Sequence, residues 1–184
     1  MSYFLDLFSP ETYEAFARSD QSISGFRIRH KNAAQRVQTG DKLVCYMTKV
    51  SRWFGILEVL DGPFHDNTPI FYSEDDPFLV RFHVRPIIWL PIDKAIPIYE
   101  DAVWNQLSFT GGQARGTPRW TGHVRTSLVQ VSEEDGRLLE ALLIEQARGG
   151  KTYPLDPADI RKLATHRVRR TDKDVAVSVP EHFA

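Results

Sequence analysis

The residues best suited to chemistry in this chain are flat rings set beside cations. Phe26 stands directly before Arg27, Arg29 and His30. Arg52 precedes Trp53 and Phe54, and Arg119 precedes Trp120, with His123 and Arg125 close behind. Cationic side chains collect phosphates, and aromatic rings stack nucleobases at about 1–3 kcal/mol per base. Such pairings in separate segments suit a pocket that holds one base while its rim follows the backbone. The rings of Trp53, Phe54 and Trp120 equally suit a hydrophobic core. Phe26 and Trp120 sit in polar, irregular surroundings that suit a core less well.

Charge is segregated along the chain. From Arg27 to Arg52 there are seven Lys or Arg and one acid, Asp41, although the formal net charge is only -1. Residues 57 to 76 hold six acids and no Lys or Arg, whereas "GGQARGTPRWTGHVRTS" and the tail "RKLATHRVRRTDK" are basic. Blocks of this kind generate a directed field even when their sum is near neutral.

The catalytic alternatives are thinner. The six histidines are scattered, with no His-x-x-x-His or Cys-x-x-Cys pair. Glu58, His65, Asp66 and His83 supply acids and imidazoles, but not at the spacing of a metal site. No Gly-x-Ser-x-Gly elbow, phosphate loop with Lys, or nuclease-type His-Asn-His pattern occurs. "FTGGQARG" offers backbone N–H groups to a phosphate, but a lone glycine pair specifies little. Cys45, the single cysteine, lies in an apolar pattern and reads as a small buried hydrophobe. The expectation is a binding module with no catalytic residues, no metal and no cofactor. A hydrolase of nucleotides or modified nucleic acid, using Glu58, His65, Asp66 or His83, is the alternative.

These residues need a scaffold, and 184 residues with 42% hydrophobic content can bury a core without metal or disulfides. No run of eighteen apolar residues occurs, and Asp6 and Glu11 come too early for a signal peptide, so a cytoplasmic location is expected. "YFLDLF" reads as a strand, followed by a helix that Ser9 caps and Pro10 opens. "SISGFRI" is a short extended piece, and Asn32 is placed to cap a brief helix "AAQRV" ended by Gly40. "KLVCYMTK" and "WFGILEVL" form a hairpin around residues 50 to 52, with an acidic loop after it. In "FLVRFHVRPIIWL", Phe78, Val80, Phe82 and Val84 fall on one face and Arg81, His83 and Arg85 on the other. "EDAVWNQLSF" predicts a short helix, Ser132 opens a long one that finishes at Gly149, and "DPADIRKLATHR" a weaker last one. "TDKDVAVSVPEHFA" reads as a loose end. Several antiparallel strands without regular helical crossovers predict an α+β domain around a strongly bent sheet or small barrel.

"RHKNAAQRVQTGDKLVCYM" followed by "WFGILEVLDGPFHDNTPIF" closely resembles the EVE domain of the PUA-like superfamily. The shared features are a His-Lys-Asn entry, a Gly-Asp-Lys turn into a strand, and a strand ending in an acidic Gly-Pro-Phe segment. The resemblance runs from Tyr3 to about Leu143, and "RWTGHVRTSLVQVSEED" is similar to the family's closing segment. It implies a PUA-like α+β fold, a strongly bent antiparallel or mixed β-barrel flanked by helices, over residues 1–148. Residues 149–184 would form a basic extension with a short helix. EVE domains are similar in fold to YTH domains, which bind N6-methyladenine in an aromatic cage.

The resemblance therefore implies a reader of modified bases in DNA: methylated or hydroxymethylated cytosine, or N6-methyladenine. In bacteria such readers are often coupled to restriction of foreign DNA, and a nuclease in a separate domain or partner would do the cutting. Carried over residue by residue, Phe8 and Ser9 form one pocket wall. Phe26, after Gly25, takes the cage position where many related domains place Trp, and Arg27 follows it. Phe71 corresponds to a second cage ring, Trp120 to a lid, and one of Trp53 and Phe54 faces the pocket. Arg29, His30, Lys31, Arg52, Arg115, Arg119 and Arg125 would hold phosphates, and Ser9 or Arg27 would read the base edge. PUA-like domains also bind RNA, which keeps an RNA-binding module as a further alternative.

Overall fold

The computed structural model describes residues 1–71 and 77–170, with side chains up to residue 164. Its elements are β1 (Tyr3–Phe8), α1 (Pro10–Arg18), β2 (Ile23–Phe26), α2 (Lys31–Ala34), β3 (Lys42–Met47), β4 (Arg52–His65) and β5 (Val80–Trp89). They continue with β6 (Ile96–Pro97), α3 (Asp101–Trp104), β7 (Gln130–Val131), α4 (Glu133–Ala147) and α5 (Pro157–Arg170). Single 3-10 stretches cover Ile28–His30 and Arg119–Val124. The C-terminal residues 171–184, read above as a loose end, lie outside the described residues.

One mixed sheet runs in the order β2-β5-β4-β3-β1-β7, with β6 added beside β4. β1 is parallel to β3, and the other pairs are antiparallel. The register slips between Cys45 and Tyr46, and again three times where β4 meets β5. Such bulges bend a strand and raise its local twist, so the sheet curls. The curl brings edge strand β2 back to β1, where Ser24 Oγ donates a buried 2.8 Å hydrogen bond to Asp6 Oδ2. The architecture is the curled α+β sheet with flanking helices that the PUA-like resemblance implies.

Alternation along β1 sorts the interior. Asp6 and Phe8 face inward with Phe54, and α1 closes that side with Tyr13 and Phe16. Phe8 meets Phe16, Phe54 and Trp89 edge to face at 5.2–5.8 Å, while Tyr13 stacks on Trp89 at 4.9 Å. α4 covers the other side. A Cβ on Gly136 would lie 2.3 Å from the Tyr3 ring, so only glycine admits this approach. Glu140 of α4 then accepts from the Tyr3 hydroxyl at 2.6 Å and from Lys42.

Helix starts follow the expected chemistry at two places. Ser9 Oγ accepts from Thr12 N at the head of α1, and Ser132 Oγ from Asp135 N at the head of α4. Three local expectations differ. Asn32 lies inside α2, because the 3-10 turn from Ile28 already starts the helical path and Lys31 begins the helix. β4 runs through the acidic segment to His65, since Phe64 and His65 pair with Arg81 and Val80. Arg81 does not face solvent; it is 2% exposed. The segment after β4 wraps over it, so its guanidinium donates to the carbonyls of Thr68 and Phe78 and lies 3.7 Å from Asp66.

Residues after α4 are fastened to the sheet. Arg52, 4% exposed, donates to the carbonyls of Ile92, Tyr153 and Pro154 at 2.6–3.2 Å and lies 3.8 Å from Asp159. Leu163 of α5 is buried. No helix among the described residues is long and apolar enough to cross a membrane.

Two stability outcomes follow from these buried polar groups. Burial pushes the Asp6 carboxyl up to about 8, with the Ser24 hydrogen bond offsetting part of the rise. The unfolded acid titrates near about 3.9. The folded state therefore keeps a proton that the unfolded state releases, and this contribution is present below pH ~4 and lost as pH rises to about 8. Asp6→Asn, which keeps an acceptor for Ser24, should match the parent in thermal melts near pH 4. It should gain stability over the parent progressively up to pH ~8, by a few kcal/mol. Arg52→Ala should cost about 2–4 kcal/mol in urea unfolding and expose residues 153–164 to limited proteolysis, because it removes the donor that ties the Tyr153 and Pro154 carbonyls to the sheet.

Candidate nucleic-acid interface

The seam where β2 meets β1 leaves a cavity of about 130 Å³. Its aromatic surfaces are Phe26, at the end of β2, and Phe78, just before β5. The Phe26 ring is 3% exposed, backed edge-on by Phe82 at 5.9 Å and flanked edge-on by the cavity-lining His30 at 6.4 Å. Gly25 lets the Phe78 segment close in, since a Cβ there would sit 2.6 Å from Ile70 Cδ1 and 3.0 Å from Phe78 Cβ. Arg27 lays its guanidinium over the Phe78 ring, 4.5 Å from the centroid, which holds the charge at the wall by cation–π attraction.

Hydroxyls, two arginines and an imidazole supply the rest. Ser9 and Thr12 line the cavity from the head of α1, bonded to each other at 2.9 Å. Ser127 lines it from the turn that precedes β7, its Oγ accepting from Leu7 N at 3.0 Å. Arg29, His30 and Arg125 complete the ring. Arg29 Nε donates to His30 Nε2 at 3.4 Å, and Arg125 to Thr121 Oγ1 at 3.2 Å. Arg29 and Arg125 are exposed and His30 is buried. No carboxylate lines the cavity among the described residues.

Of the residues expected to form a base pocket, Ser9, Phe26 and Arg27 come together here. Arg29, His30 and Arg125, expected as phosphate contacts, stand around them. Lys31 is exposed one residue further on, and Arg119 is exposed at the start of its 3-10 turn. The other expected residues lie elsewhere. Phe8 points into the aromatic core, because its neighbour Leu7 takes the outward side of β1. Trp53 is 1% exposed against Tyr46 and lines a separate cavity with Phe109 and His123. Phe71 packs edge-on behind Phe78 at 5.2 Å, one layer out from the cavity. Trp120 packs against Trp104 and Tyr99 at 5.5–5.7 Å and does not line the seam cavity, so it is not a lid over it. Arg52 is the buried clamp described above, and Arg115 is engaged with Asp101 and the Tyr99 carbonyl.

Sequence reasoning missed Thr12, Gly25 as a wall, Phe78 and Ser127. Phe78 read as an inward strand residue, yet β5 begins only at Val80, which frees Phe78 to turn toward Arg27. Ser127 had no local signal, because its place depends on the pairing of residues 127–131 with β1.

The acids and imidazoles weighed for hydrolysis do not converge. Glu58 pairs with Arg85, Phe64 stacks on His83 at 4.6 Å, and Asp66 lies near Arg81. No group of three His, Cys, Asp or Glu among the described residues is placed to hold a metal.

The EVE domain family model matches residues 2–142. A UPF0310 protein of Pyrococcus abyssi is 30% identical over 154 residues, covering 78% of this chain and 100% of the relative. A UPF0310 protein of Pyrococcus horikoshii is 27% identical over 157 residues, with the same coverage. Among solved structures, the Pho92 YTH domain in complex with m6A superposes with a TM-score of 0.53 at 11% identity, covering 77% of this chain and 82% of that one. The Mmi1 YTH domain in complex with RNA gives 0.51 at 14% identity, covering 78% of each. Protein Atu2648 from Agrobacterium tumefaciens gives 0.50 at 17% identity, covering 84% and 100%. At these identities the structural likeness speaks to the fold alone, while the family match spans most of the chain. This chain belongs to the EVE domain family.

Proposed function

We propose that the protein is a reader of modified bases in DNA, and that the seam cavity receives a base turned out of the duplex. The observation that carries this reading is the placement of Phe26 and Phe78 at one small cavity whose mouth is ringed by exposed cations, Arg29 and Arg125. A cavity of about 130 Å³ has room for a single planar ring system, not for a stretch of chain. Turning a base out costs a few kcal/mol, which ring stacking and hydrogen bonds to its edge offset. Ser9, Thr12 and Ser127 provide hydroxyls for that edge, while Arg29, Lys31 and Arg125 hold the flanking phosphates. The m6A and RNA held by the YTH neighbours support nucleic acid as the partner class. They also support RNA as a second reading, which competition between DNA and RNA of one sequence separates. In the DNA reading the chain is the recognition part of a modification-dependent restriction or defence system, and a nuclease elsewhere does the cleavage.

Titration of one duplex with and without a modified base tests the reader directly. Phe26→Leu keeps an apolar filler against Phe82 but loses the flat face, and should cut the preference for the modified base about tenfold. Lys31→Ala should weaken modified and unmodified duplexes alike and lower the salt slope of binding by about one. Equal, weak binding of the parent protein to every duplex would contradict the reading.

A further inference from the structure

We infer that the second cavity, lined by Trp53, Phe109 and His123, is a binding site for an unphosphorylated guanine-type ring. That class is a flat heterocycle with two adjacent N–H donors beside a carbonyl. The inference is independent of the reader function proposed above, because it concerns a different cavity. The segment from His123 to Val131 walls both: Arg125 and Ser127 line the seam cavity, whereas His123 and residues 129–131 line the second. β1 contributes to each from one face, Leu7 to the seam and Leu5 to the second.

The second cavity holds about 220 Å³, against about 130 Å³ at the seam, which gives room for two fused rings. Its floor is buried and carries both kinds of hydrogen-bonding group. Trp53 is 1% exposed, and its indole Nε1–H is buried without an acceptor among the described residues. A buried indole N–H ordinarily has a partner, so an unmet donor in a cavity wall points to a ligand acceptor. Asp135 is 3% exposed, and its carboxylate accepts from Ser108 N at 2.9 Å and from the Ser108 hydroxyl. Each carboxylate oxygen keeps a second acceptor site, which suits a pair of ligand N–H groups. Phe109 and His123 stack at 4.7 Å and 16°, and this paired flat surface suits the face of a ring. No Lys or Arg lines the cavity among the described residues, and a carboxylate does, so a phosphate finds no counter-charge there. Among the common bases, guanine alone presents two neighbouring N–H donors beside a carbonyl on one edge.

The test is a nucleoside titration of the ¹⁵N-labelled full chain, followed at the Trp53 indole N–H resonance, which Trp53→Phe identifies by its loss. Guanosine should move that resonance saturably, and inosine, which lacks the exocyclic amine, should bind about tenfold more weakly. Adenosine and cytidine should produce no saturable shift, and guanosine 5′-monophosphate should bind no tighter than guanosine. Asp135→Asn, which keeps an oxygen for Ser108 N, should weaken guanosine at least about tenfold, with thermal melts confirming the fold. Phe109→Leu should weaken guanosine and inosine by the same factor, since it removes only the flat face. A short single strand with one guanine, against the same strand with inosine, separates a base held in a strand from a free nucleoside. A guanine-dependent shift from either source supports the site. No shift with any probe, equal binding of guanosine and inosine, or tighter binding of the monophosphate would overturn the inference. So would guanosine binding left unchanged by Asp135→Asn.

Discussion

The hydrogen bond from Ser24 to Asp6 is the constraint on which the rest of the structure depends. Ser24 lies on one edge strand of the sheet and Asp6 on the strand next to the other edge, so this 2.8 Å contact exists only because the sheet curls back on itself. The bulges in β4 supply the bend, and the buried carboxyl, kept neutral by its surroundings, supplies an acceptor that an apolar residue could not. Everything proposed for the reader function lies just beyond this seam. Leu7 and Ser9 follow Asp6 on one side, Gly25 to Arg27 follow Ser24 on the other, and the space between them is the cavity.

A site at a seam is open for a physical reason. Inside the sheet, neighbouring strands satisfy one another's backbone groups and leave no room. At the seam β1 and β2 are joined by the Ser24–Asp6 side-chain contact instead, and the cavity lies beside it. The rings behind the seam make it rigid: Phe8, Tyr13, Phe16, Phe54 and Trp89 fill the interior edge to face, and Phe82 backs Phe26. Arg52 and Arg81 show the other use of cationic side chains in this fold. Both are buried, and both spend their donors on carbonyls of segments that cross the sheet, so neither contributes to the positive rim. The net charge of a segment therefore says little about the field outside it until each cation has been assigned to carbonyl, carboxylate or solvent.

That assignment is also where the sequence ceased to be legible. Helix heads at Ser9 and Ser132, the alternation of β1 and the curled α+β class could be read from local pattern, since each is set by residues within a few positions of one another. Phe26 with Arg27 and Arg29 could be read as a cluster for the same reason. Trp53 and Trp120 could not be placed, because an aromatic beside an arginine looks alike whether it lines a pocket or packs on another ring. Tyr46 decides the first case and Trp104 the second, and both are contacts made by the fold. Phe78 and Ser127 join the cavity through segments distant in sequence, with no nearby residue to announce them.

The most direct measurement is a crystal structure of the protein bound to a DNA duplex that carries one modified cytosine. The expected result is that base lifted from the helix and lying in the seam cavity beside Phe26 and Phe78, with Arg29 and Arg125 on the adjoining phosphates. A base still stacked in the duplex, or held at any other surface while the seam cavity stays unfilled, would contradict the account.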